Sequence, residues 1–272
     1  LTADTTGVFT ADQLDRERAE LIAERGEADG EAIFDQEYMT SWSAALPGAY
    51  YARLLDKMER HGAIGLLPHN PTRQVHTAWD IGASDETCIW FVQWTGAYWA
   101  VIDYLASSSR GPEWYVQRLL GQAPEKEHQH RKDYIYGEHL LPHDAGHRNK
   151  VAPNAATYAE TVRELGLRNV RVVPQTGSVA NDINECRKVM ALCVFDEAKC
   201  SVGLDALRSY RREWDEKLRA YRDKPLHDWA SNPADAFRTF AIGKPVERDM
   251  GDNDNWEIAA MQQAETAGRF GL

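Results

Sequence analysis

Between residues 74 and 105 the chain is packed with β-branched and aromatic residues in a pattern that suits a sheet and little else. Gln74–Ile81 and Thr87–Trp94 are two such runs, separated by GASDE, and Ala97–Leu105 is a third. Short runs of this composition, broken by turn residues, read as strands, and brief connections make neighbours antiparallel. The stretch is predicted to be a three-stranded antiparallel meander. A meander constrains everything after it, because the faces of its sheet have to be covered by further elements.

The remaining segments supply those elements. Upstream, residues 10–25 read as a charged helix capped by Thr10, GEADGE at 26–31 is a break, and Tyr50, Tyr51, Leu54, Leu55 and Met58 fall at helical spacing. Pro68, Asn70 and Pro71 mark a loop. Downstream, Gly111–Leu120 is predicted helical, and Tyr134–Leu141 is a strand stopped by Pro142. Thr157–Leu165 is a helix closed by Gly166, and Asn169–Val173 a strand closed by Pro174. Ser178–Phe195 is predicted as one longer helix, and Ala234–Ala241 as the last, with Phe237 and Phe240 on one side. The order β-β-β-α-β-α-β-α predicts an α/β fold. Its mixed sheet joins the antiparallel meander to parallel strands, with helices on both faces. That is the element order of the ribonuclease H-like architecture.

Composition narrows the function classes. The longest apolar run in the 272 residues is Val189–Phe195, far short of the roughly 18 residues of a membrane-spanning helix. The N-terminus has neither a basic nor an apolar leader region, so no secretory signal is expected. Opening on Leu rather than Met suggests a piece of a longer protein. Cysteines stand at 88, 186, 193 and 200 with no CxxC pair, which argues against a zinc ribbon or redox motif. The last three are seven apart, which on one continuous helix would share a face; they are expected to be buried, reduced thiols of a reducing compartment. The net charge of −11 at first argues against a nucleic-acid binder. Its distribution argues otherwise. Residues 1–60 carry net −7 and residues 245–272 net −4, leaving 61–244 neutral. A neutral domain can still present a basic groove, and 208–224 holds seven basic residues against four acidic, a set of candidate phosphate contacts or equally a solvated amphipathic helix or hairpin.

Three carboxylates are candidates for chemistry. Asp80 ends the first strand, where an acid is unfavourable for β structure and costly to bury alone. Asp144 lies just past Pro142, beyond another strand end. Asp235 falls at the start of the last helix, where the helix dipole also favours an acid. Asp85 and Asp228 are possible additions; Asp85 reads equally well as an ordinary turn residue. Acids gathered at one sheet edge repel one another, and divalent cations with oxygen ligands relieve that. Five of the nine histidines lie in 128–147, and a transition-metal site of His143, Asp144 and His147 is a further alternative.

At these segments the chain resembles the nuclease domain of the large terminase subunit of tailed bacteriophages. VHTAWDIGASDETCIWFVQW resembles that family's first catalytic strand, YIYGEHLLPHDAG its second motif, and HDWASNPADAFRTFA its last, with ADAFR the most specific part. FDQEYMTSWSAALPGAYYARLL resembles the segment joining the ATPase and nuclease halves. The resemblance implies a metal-dependent endonuclease cutting double-stranded viral DNA during genome packaging. Asp80, Asp144 and Asp235 would hold two divalent cations, Mg²⁺ or Mn²⁺, with Asp85 or Asp228 completing the second site. The implied partners are DNA, the portal and the small terminase subunit, in the host cytoplasm and with no membrane. The family often has a His between the Ser and ADAFR, where this chain has Asn232 and Pro233. No GxxxxGK[ST] loop occurs, so an ATPase half is not expected here. The implied organisation is a linker or residual ATPase tail over 1–33, a nuclease domain over 34–243 and an acidic tail over 244–272. Two other readings stay open: another ribonuclease H-like nuclease, of transposase, integrase or resolvase type, and a latent docking module of the packaging motor.

Overall fold

The computed structural model of the chain describes residues 9–25, 30, 33–34, 38, 47–82, 85–147, 156–215 and 217–245. The expectations for 1–8, for most of 26–46 and for the acidic tail beyond 245 lie outside these residues. Two compact units are present: Met58–Leu204 with Ser231–Leu272, and Leu1–Lys57 with Asp205–Ala230.

The first unit is built on seven strands: β1 (Ile64–Gly65), β2 (Gln74–Asp80), β3 (Glu86–Trp94), β4 (Trp99–Ser108), β5 (Ile135–Leu141), β6 (Val170–Val172) and β7 (Cys193–Asp196). Their order is β1-β7-β4-β3-β2-β5-β6. β2, β3 and β4 pair antiparallel, as the meander requires. β5 joins β2 in parallel, and β6 joins β5 in parallel. From β4 to β6 this is the order and direction of a ribonuclease H-like sheet. β7 and β1 extend it in parallel beyond β4.

Those two strands were not expected. The predicted helix over 178–195 is instead a helix Val179–Met190, a turn, and then β7. Every residue of β7 is buried, and it pairs on both sides, so its sequence shows no polar alternation. An unbroken apolar run does not distinguish such a strand from the end of a buried helix. The Asp196 carboxylate then accepts from Lys199 N at 2.8 Å and starts the helix Glu197–Ser209. Cys186, Cys193 and Cys200 therefore sit on a helix, a strand and the next helix rather than on one helical face. All are free and buried, and burial pushes the Cys193 and Cys200 thiols well up, away from reactivity.

Both faces of the sheet are covered. Residues opposite one another across an antiparallel pair share a face. Trp79 with Ile89 and Thr77 with Phe91 mark one side; Ala78 with Trp90 and Asp80 with Cys88 mark the other. On the first side, Trp79 packs edge-on against Tyr115 of the helix Pro112–Leu119 and Tyr158 of the helix Tyr158–Glu164. On the second, Trp90 meets Phe237 of the helix Ser231–Gly243 at 6.0 Å. Double coverage is why β3 is buried at every position but its first.

Among the described residues the α-helices with described bounds are, in chain order, α1 (Ala11–Arg25), α2 (Ala52–Arg60), α3 (Pro112–Leu119), α4 (Tyr158–Glu164), α5 (Val179–Met190), α6 (Glu197–Ser209) and α7 (Ser231–Gly243). In the second unit Thr10 caps α1 by accepting from Gln13 N, and the rings of Tyr50, Tyr51 and Tyr210 cluster. The basic segment forms an antiparallel hairpin, β8 (Arg212–Asp215) and β9 (Ala220–Pro225), rather than a helix.

Candidate active site

The site begins with the way β2 is held. β2 and β5 run parallel, so their carboxyl ends lie at one edge of the sheet. Their register slips between Val75 and Thr77. The slip is absorbed by His76, whose Nδ1 accepts from Glu138 N at 2.9 Å. Beyond it, Thr77 Oγ1 accepts from Trp79 Nε1 at 2.8 Å and lies 2.7 Å from His139 Nδ1. The hydroxyl keeps a proton and a second lone pair, so it pairs with either neutral tautomer of His139. Burial lowers both imidazoles to about 4, so they are neutral. This network locks the end of β2 and presents Asp80 there, on the α7 side.

Asp144 follows β5 directly. Pro142 ends the strand, a short 3₁₀ turn spans His143–Gly146, and buried Ala145 anchors the turn while Asp144 is exposed. Asp235 comes from α7, whose start is tied to β3 at two points. Trp90 Nε1 donates to Pro233 O at 2.9 Å, and Asn232 Nδ2 donates to Glu86 O at 2.9 Å. α7 begins at Ser231, three residues before the predicted start, and has no acid in its first turn. The helix-dipole account of Asp235 therefore does not hold.

Asp80, Asp144 and Asp235 line one cleft of about 260 Å³, at the carboxyl ends of β2, β5 and β6. Open α/β sheets bind ligands at this edge. The lining includes His143, Arg238 and a fourth acid, Asp182 of α5. Asp182 is buried and accepts from the Thr176 hydroxyl. Sequence reasoning missed it because an acid in the first turn of a helix is commonplace; only the return of α5 to this edge after β6 gives it a place.

Electrostatics set Asp80 apart. Burial, then the charges of Asp235 and Asp144, push its carboxyl up to about 8, with Arg238 opposing and Asp85 adding a little. Asp103, in the middle of β4, is the instructive contrast. Burial pushes it up too, but His130 at 2.9 Å and Arg131 at 2.8 Å hold it below the usual range. One buried acid has a guanidinium and an imidazole as partners and is structural. The other has mostly acidic neighbours, an environment that favours added positive charge.

The other candidates fall elsewhere. Asp85 is exposed, in the turn where Gly82 allows close approach: a Cβ there would lie 2.6 Å from the Asp85 carbonyl carbon. Asp228 belongs to the second unit, where it pairs with Arg211 at 3.6 Å and accepts from Ala230 N. His143 and His147 have ring centroids 5.6 Å apart. Among the described residues no group of three His, Cys, Asp or Glu side chains is disposed to hold a metal ion as placed. No helix of these residues is long and apolar enough to cross a membrane.

Fold and cleft together define a ribonuclease H-like α/β domain with an acidic site at the carboxyl edge of its sheet. No protein-family model matches the chain, and no curated protein does. Among solved structures, the large terminase of a thermophilic bacteriophage shares the fold. In one of its crystal forms the match covers 89% of this chain and 54% of the terminase, with a TM-score of 0.50 and 17% identity. In another it covers 88% and 53%, with a TM-score of 0.51 and 15% identity. The chain thus spans about half the length of the terminase it matches.

Proposed function

We propose that this chain is a divalent-cation-dependent endonuclease of the large-terminase type, cutting double-stranded viral DNA during genome packaging. The observation that carries the reading is the convergence of Asp80, Asp144 and Asp235 from two strand ends and a helix, with Asp80 held at about 8 by burial and by the other two. The donor set suits hard cations: all-oxygen, anionic and open to solvent. Asp80, Asp144 and Asp235 would hold two Mg²⁺ or Mn²⁺ ions, with Asp182 or Asp85 as a further oxygen donor. Such ions supply an activated water and stabilise the charge that builds on a phosphodiester in in-line displacement.

The chain's own part is to hold those acids at fixed positions. The Thr77–His139 network and the Trp90 and Asn232 ties to α7 do this from rigid elements. DNA contact is assigned to the hairpin. Arg222 and Lys224 are paired with Asp215 and Glu213, while Lys217 and Arg219 stand exposed at its turn. The likeness to the thermophilic phage's terminase supports a place in a packaging motor, with portal and small terminase subunit as partners and the host cytoplasm as the setting.

Plasmid cleavage with Mg²⁺, Mn²⁺ or EDTA tests the reading. Cutting is expected with either ion, without ATP, and not with EDTA. Asp144→Asn should abolish most of it, and most of the thermal stabilisation by Mn²⁺. An Asp144→Asn chain that cuts at the wild-type rate would overturn the assignment.

A further inference from the structure

The cleft is crowded with acid, yet one side chain in its described lining is a permanent cation. Arg238 stands one turn from Asp235 on α7, with Nη1 3.1 Å from Asp235 Oδ1. Its charge also reaches Asp80, where it opposes the three acids that raise that group. Its side chain is 27% exposed, so the guanidinium is open to the cleft rather than sealed in the core. Pairs of this spacing and exposure are weakly held and exchange readily.

We propose that Arg238 is a phosphate-binding residue that serves as the cleft's own counter-ion until metal and DNA arrive. The inference rests on the nuclease reading. In the ion-free protein the guanidinium offsets part of the acid charge at Asp235. Divalent cations compete for the same carboxylate, and their binding releases Arg238 toward the cleft mouth. There its planar fork meets two non-bridging oxygens of the phosphodiester, a geometry that a lysine ammonium does not reproduce. Arg238 thus opposes the binding of cations and favours the binding of the anion.

Those opposite signs are the test. In Arg238→Gln, the Mn²⁺ concentration giving half-maximal thermal stabilisation should fall about fivefold, because a competing charge is gone. Binding of a short DNA duplex in Ca²⁺ should weaken about tenfold. Cleavage at saturating Mn²⁺ should drop about a hundredfold. Arg238→Lys keeps the charge and loses the fork, so its Mn²⁺ midpoint should match wild type while cleavage still falls; it also serves if the Gln chain does not fold. A purely structural ion pair predicts the reverse at the first step: looser Asp235 and a higher Mn²⁺ midpoint. That result, or duplex binding in Ca²⁺ equal to wild type, overturns the proposal. A wild-type chain with no Mn²⁺ response and no cutting would instead remove the nuclease reading beneath it.

Discussion

At the scale of single residues, Asp80 makes the sharpest forecast. Its carboxyl is held near 8 in the fold, against about 4 in an unfolded chain. Between these values the native state binds the extra proton at Asp80, but His76 and His139, lowered to about 4, pull the other way up to about 6.5; the net fall in stability therefore runs from about pH 6.5 through about 8. In EDTA the melting temperature should drop by several degrees across that window. Asp80→Asn should flatten the curve, and Mn²⁺ should reverse it by making the charged form the favoured one. A wild-type melting temperature that is flat from pH 6.5 to 8 in EDTA would show that the three acids do not share a field. Asp80 was legible in the sequence because an acid ending a buried aromatic strand demands an explanation. Asp182 was not, since its buried position appears only once α5 has packed. The same holds for Arg238, which reads as one more exposed helix charge until its neighbours are known.

Among elements, the coupling of β3, α6 and α7 matters most. Trp90 is fully buried, bonded to Pro233 O, and stacked against the site of Gly203 on α6. A Cβ at Gly203 would lie 2.3 Å from the Trp90 ring. Alanine would gain roughly 1 kcal/mol in helix propensity, but overpacking a core of this kind costs about 1–3 kcal/mol. The clash wins, because the ring cannot yield without releasing the bond that seats α7. Gly203→Ala should lower the melting temperature by a few degrees and depress cleavage further than that loss explains, through Asp235. A melt unchanged by Gly203→Ala would show that the ring has room. The meander, α4 and α7 were readable from period and punctuation, as in Gly166 closing α4. β7 was not, because strand and helix signals merge in VMALCVF, and β1 is too short to carry a pattern.

For the whole molecule, the nuclease reading makes charge the term that would govern an encounter with DNA. The hairpin's internal ion pairs leave two turn cations, Lys217 and Arg219, for phosphate. With Arg238 in the cleft these make three contacts, which imply a log–log salt slope of about −3, so affinity for duplex should fall roughly fortyfold between 50 and 200 mM salt. Fluorescence anisotropy of a labelled duplex measures this. A slope steeper than about −5 would mean that the hairpin's pairs open on binding. The neutral middle and acidic ends were plain in the sequence, whereas the pairing that removes Arg222 and Lys224 from the count required the hairpin register.

The ties that seat α7 on β3 also carry a temporal meaning. Asp80 is synthesised early and Asp235 late, and α7 takes its place only by docking on a strand made long before it. β7, likewise late, inserts between β1 and β4. A ribosome-bound chain that has not yet released residues 231–243 has its first two acids but no third, and no Arg238. On the nuclease reading proposed above, cutting would wait for α7, and a chain that stalls before it would leave the DNA around it intact.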